Sequence, residues 1–124
     1  MPEQLHFTTR VLGAAAAYRL ELRQVTQTLR SESDSIANAV LLGRVSAGDK
    51  LEIVLDSRIV GHAELVSMDV VTWEALGTRD ARRGGFGNRF ELAYALQRAG
   101  FRFMPLNQYE LYRIQFRWLE ETYA

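Results

Sequence analysis

Apolar and polar residues alternate along some stretches of the chain and recur at helical spacing along others, and these two periods predict its elements. His6–Thr9 reads as a first strand after a loose 1–4 tail, and Ala-rich Val11–Tyr18 as one or two helical turns. A second strand follows within Arg23–Ser35 (RQVTQTLRSESDS), with Val25, Gln27 and Leu29 on one face and Thr26, Thr28 and Arg30 on the other. Ser33–Leu42 reads as a helix capped by Ser33 or Ser35, with Ile36, Ala39 and Val40 on its apolar face. Gly48-Asp49 marks a turn. Leu51–Leu55 then pairs through a hairpin at Asp56–Arg58 with a long strand, Ile59–Val71, whose Gly61 predicts a bulge or bend.

Trp73–Leu76 and Thr78–Arg83 read as short helical turns, and Gly84–Gly87 as a loop. Asn88 caps the next helix with Glu91 as its reciprocal partner, and Gly100 ends it. Phe90, Ala93, Tyr94 and Leu96 or Gln97 are its expected inward residues. Phe101, Phe103, Met104 and Pro105 form an apolar loop, expected as a lid over the core. Tyr109–Leu119 is the closing strand, with Tyr112, Ile114, Phe116 and Trp118 on its buried face. This order predicts an α+β fold, a small mixed and mostly antiparallel β-barrel of about five strands with inserted helices, built as one domain over residues 1–124.

Composition narrows the function classes. A chain of 124 residues with 48% hydrophobic and 24% charged residues suits one soluble globular domain. Its 15 basic and 15 acidic residues cancel, so no global field draws it onto nucleic acid, and any basic patch must be local. Every basic residue except Lys50 is Arg. The absence of Cys excludes disulfides, thiolate metal sites and cysteine nucleophiles. No apolar run is long enough to span a bilayer and no secretory leader is evident, so no membrane partner and a cytoplasmic location are expected.

The densest chemistry is the ledge on the second strand. Thr26, Thr28 and Arg30 set two hydroxyls beside a guanidinium, followed at once by Ser31, and such a group suits a phosphate or a nucleobase edge. The same residues are also ordinary strand formers and helix caps. Arg82 and Arg83 before the glycine loop would form a basic rim, and Phe86 within that loop is the aromatic placed to stack a base. His6 and His62 have no second ligand at a metal spacing, and Gly84–Gly87 lacks the Lys-Ser/Thr ending of a nucleotide loop, so neither a metal nor a cofactor is expected.

The run VTQTLRSES, the Gly-Asp turn, the LEIVL hairpin, the DARRGGF segment, the capped helix and the final YRIQF strand resemble the ASCH domain of the PUA-like barrels, from about Phe7 to Leu119. Thr26, Thr28, Arg30, Gly48, Asp49 and Phe116 match its signature. The resemblance implies a cleft between barrel and helices with the ledge as one wall, and an RNA, nucleotide or modified-nucleoside ligand. One branch of this family deacylates N4-acetylcytidine with a Lys and Thr of the ledge strand and a downstream Glu. Here Val25 stands in the Lys place and Gly84 or Gly85 in the Glu place, leaving Glu32 or Asp80 as displaced bases. The leading expectation is therefore a binding module using Thr26, Thr28, Arg30, Ser31, Arg82, Arg83 and Phe86, without assigned catalytic residues. The alternatives are a hydrolase, acting on acylated cytidine or on RNA, and a structural or dimerising domain.

Overall fold

A computed structural model of the chain describes residues 2–102 and 110–120. Its strands are β1 (Glu3–Phe7), β2 (Gln27–Arg30), β3 (Lys50–Leu55), β4 (Arg58–Val71) and β5 (Leu111–Trp118). The helices are α1 (Thr9–Leu12), α2 (Ala14–Glu21), α3 (Ser35–Leu41), α4 (Thr78–Arg83) and α5 (Arg89–Arg98), with a 3₁₀ turn at Trp73–Ala75. The fold is α+β, a five-stranded curled half-barrel with helices inserted between strands.

The sheet order is β1-β3-β4-β5-β2. β1 runs parallel to β3, and the other pairings are antiparallel. β4 is long because it serves two neighbours, pairing with β3 through Arg58–Glu64 and with β5 through Ala63–Val71. Register shifts at Ile53/Val54 and Leu65/Ser67 bend it and deepen the curl. Gly61 lies at the first shift, where a Cβ would come within 2.8 Å of Trp118 Cζ3. Only glycine lets β5 approach so closely there.

Local chemistry sets the joints. Asp56 and Ser57 have φ of 49° and 68°, the doubly positive pair that a two-residue hairpin needs to match strand twist. Asp56 also accepts the Thr9 N–H (2.9 Å) and Thr9 hydroxyl (2.5 Å), tying α1 to the hairpin. Gly13, at φ 83°, separates α1 from α2 where the sequence predicts one helical stretch. Leu5, Leu20, Ile36, Leu51, Ile53, Leu111 and Ile114 form the centre of the core.

Three expectations need correction. The chain is a strand from Glu3 onward, because parallel pairing with Leu51–Leu55 orders what the local sequence leaves loose. Asp34, not a serine, caps α3, accepting the Ile36 and Ala37 N–H groups at 3.0 and 3.1 Å. α5 is rotated from its expected face. Leu92, Ala93, Ala95 and Leu96 are buried, while Phe90 and Tyr94 are 74% and 55% exposed. The alanines let α5 settle close to its neighbours, and Arg98 locks it by donating to the carbonyls of Val11 and Leu12. On β5, Tyr112, Ile114 and Phe116 are buried as the alternation predicts. Phe103, Met104, Pro105 and Tyr109 lie outside the described residues.

Candidate ligand cleft

A cleft of about 360 Å³ lies along β2, walled on the far side by α1 and α5. β1 and β2 are the two outer strands of the sheet, and the cleft opens where they approach each other. Arg30 bridges this seam. Its Nη2 donates to the His6 carbonyl of β1 at 2.7 Å, and its guanidinium lies 4.7 Å from the Phe7 ring centroid. Its Nε donates to Thr28 Oγ1 at 2.9 Å, and its Nη1 to Asp34 Oδ1 at 3.0 Å. Burial pushes the Arg30 pKa down, opposed by the charge and hydrogen bond of Asp34. The group stays cationic, as arginines do.

This arrangement sets the polarity of the wall. Thr28 Oγ1 already accepts from Arg30, so its own hydroxyl proton remains a donor. Ser31 and Ser33 share a hydrogen bond of 2.8 Å at the mouth. Arg10 is exposed there and has no ion pair among the described residues. Of the other charges of the lining, Arg30 pairs with Asp34, and Asp80 shares Arg113 with Asp69. Inside, the cleft is lined by the rings of Phe7, Phe86 and Phe101 and the side chains of Leu92 and Leu96.

Behind the wall runs a second network. Gln27, only 1% exposed, donates from Nε2 to Asp80 Oδ1 at 3.0 Å and accepts at Oε1 from Gln115 Nε2 at 3.0 Å. Asp80 also accepts from Arg113 Nη1 (3.1 Å) and from the Gly77 N–H (3.0 Å). Burial raises the Asp80 pKa, but the bonds from Gly77, Gln27 and Arg113, with the Arg113 charge, hold it below the ordinary carboxylate value. Arg113 is raised, first by its hydrogen bonding to Asp69, reached through Nε (2.9 Å) and Nη2 (2.6 Å). The bidentate pair anchors the network at its solvent end.

Of the residues singled out from the sequence, Thr28, Arg30, Ser31 and Phe86 line the cleft. Phe86 does so from the core, where it is buried against Gly84, and not from a free loop. Thr26 is outside the lining, with its N–H bonded to the Arg83 carbonyl and its own carbonyl accepting from the Phe116 N–H. Arg82 and Arg83 are exposed and also outside it, so the wall facing β2 is helical and largely apolar. Glu32 is exposed and is not part of the lining, whereas Asp80 is. Val25 is fully buried, and a Cβ on Gly85 would come within 2.9 Å of its Cγ2. His62 lies 3.5 Å from Glu52, and no cluster of three or more potential metal ligands occurs among the described residues. Gln27, Arg113 and Gln115 are the polar residues of the site that the ledge did not point to. Their signal is a glutamine in register with Val25 and Leu29, with an arginine and a glutamine alternating on the closing strand.

No family model matches the chain, and no curated protein matches it. The chain is similar to a solved structure, protein EF3133 from Enterococcus faecalis V583, family model DUF984, with 15% identity and a TM-score of 0.65. The match covers 100% of this chain and 86% of that one. The likeness is one of fold. Among the described residues no helix is long and apolar enough to cross a membrane.

Proposed function

We propose that the chain is an ASCH-type binding module whose cleft takes a nucleobase-bearing ligand, either a free nucleoside or nucleotide or an unpaired residue of RNA. The observation that carries this reading is the Thr28–Arg30 pair. A guanidinium held by three acceptors orients a hydroxyl donor at the wall of a cleft that contains aromatic rings. Flat rings with polar edges fit such a mixture of apolar lining and a few fixed polar groups. Because Arg30 is paired with Asp34, and Arg113 is shared by Asp80 and Asp69, the wall offers little free positive charge, and base and sugar contribute more to recognition than phosphate does.

Binding is favoured over hydrolysis by the state of the carboxylates. Asp80 takes three N–H donors and is held ionised below its ordinary range, which weakens it as a base. Asp34 is engaged by Arg30 and by the start of α3. Titration with nucleosides, nucleoside monophosphates and short single-stranded RNA tests the reading. Thr28→Val, which keeps shape and removes the donor, is expected to weaken binding about 10-fold. Failure of every nucleobase ligand to bind at millimolar concentration overturns the proposal. Product formed from N4-acetylcytidine or RNA would replace it with the hydrolase reading.

A further inference from the structure

The mouth of the cleft has two lips, one where β1 passes into α1, carrying Thr8 and Arg10, and one between β2 and α3, carrying Ser31 and Ser33. Arg30 draws them together, donating to the His6 carbonyl on one side (2.7 Å) and to Asp34 on the other (3.0 Å). The first lip is a firm mount. Thr9 is tied to Asp56 through its N–H and its hydroxyl, and Arg98 Nε donates to the Val11 carbonyl at 2.8 Å. The Arg10 side chain is exposed between these anchors and has no ion pair among the described residues. Thr8 Oγ1 accepts the Val11 N–H at 3.3 Å, so its hydroxyl proton is left as a donor. On the second lip the Ser31 and Ser33 hydroxyls lie 2.8 Å apart, a bond that uses one proton of the pair and leaves the other to donate. Both oxygens of Asp34 are engaged by Arg30 and the start of α3, and Glu32 is exposed outside the lining.

Resting on the nucleobase reading above, we propose that this mouth is a subsite for one phosphate, and that the ligand is a nucleoside monophosphate. A single guanidinium flanked by hydroxyl donors meets the oxygens of one phosphate group. A polyphosphate needs further cations or a metal. Among the described residues no other arginine or lysine of the lining lacks an acidic partner, and no cluster of three or more potential metal ligands occurs. An RNA strand needs cations for its successive phosphates, and the exposed Arg82 and Arg83 lie outside the lining. The base then enters among Phe7, Phe86 and Phe101 while the phosphate stays at the lips.

Calorimetric titration in metal-free buffer tests this, with each nucleoside compared with its mono- and triphosphate and with a short single-stranded RNA. His6 also lines the cleft, so the titration is run at about pH 8, above the ordinary range of histidine. The monophosphate of the best-binding nucleoside is expected to bind about 5- to 10-fold tighter than the nucleoside itself. The triphosphate and the RNA are expected to gain no more than about 3-fold beyond the monophosphate. In Arg10→Gln the monophosphate advantage is expected to fall below about 2-fold, and Arg10→Lys to restore part of it. Equal affinity for nucleoside and monophosphate in wild type, or an advantage that survives Arg10→Gln, overturns the phosphate subsite and leaves nucleobase binding standing. A larger gain for triphosphate or RNA overturns the single-phosphate assignment. Should Arg10→Gln fail to fold, the salt dependence of wild type serves instead. The monophosphate is expected to show a log–log slope of about 1 and the nucleoside almost none, and equal slopes overturn the subsite. Absence of all binding by wild type sinks both proposals.

Discussion

Arg30 and Thr28 stand two residues apart on one strand, joined by a 2.9 Å hydrogen bond from Nε to Oγ1. The same guanidinium also reaches the backbone of β1 and the cap of α3. One side chain therefore closes the barrel seam, holds a helix start and orients a hydroxyl at the cleft. The structural role and the proposed binding role are coupled there.

Arg30→Ala should cost about 2–4 kcal/mol of stability, because it leaves Asp34, half of an ion pair only 16% and 15% exposed, without its cation. Arg30→Lys should recover only part, since one ammonium cannot meet three acceptors in separate directions. Urea unfolding of the two variants measures this. Equal stability of wild type and Arg30→Ala would show that the seam does not need the bridge.

Acid should loosen the molecule at two carboxylates. The hydrogen bonds from Thr9 hold the pKa of Asp56 down, and Asp80 is likewise depressed. A depressed folded-state pKa gives stability that is present above the unfolded value, about 3.9, and is lost as pH falls through the folded value. Melting temperatures of wild type, Asp56→Asn and Asp80→Asn from pH 7 to pH 2.5 check the sign. The variants should be less stable at pH 7, and the gap should close below about pH 4.

Ser57→Gly should stabilise by about 0.5–1 kcal/mol, since a left-handed φ of 68° is strained for serine and free for glycine. Gly61→Ala should destabilise by about 1–3 kcal/mol through the Trp118 contact. Denaturant midpoints shifted in opposite directions for the two variants would verify that backbone conformation governs position 57 and clearance from Trp118 governs position 61.

Ligand affinity should respond weakly to salt. Arg10 is the cation of the lining without an ion pair among the described residues, so a nucleotide should show a log–log slope of about 1 or less, and a nucleoside almost none. A steep slope with RNA would place the backbone on another surface, with exposed Arg82 and Arg83 as the first to mutate.

Much of the fold was written in local periods. Alternation in LEIVL and YRIQF marked strands whose inward residues Leu51, Ile53, Leu55, Tyr112, Ile114 and Phe116 lie in the observed core, although Val54 is buried as well, and the Asn88 cap begins α5 where it was expected. Alternation also joined Thr28 to Arg30, because residues two apart on a strand share a face whatever the surrounding fold. Sequence alone could not show that β2 ends up as an outer strand beside β1, since that depends on pairings far apart in the chain. Nor could it rotate α5 so that alanines and leucines, and not Phe90 and Tyr94, face inward. The polar chain from Asp69 through Arg113 and Asp80 to Gln27 joins residues 27 to 113, and only the closed sheet brings their side chains within hydrogen-bonding distance. Periodicity records which way a residue points. Distances between elements are set by packing the whole chain around one core.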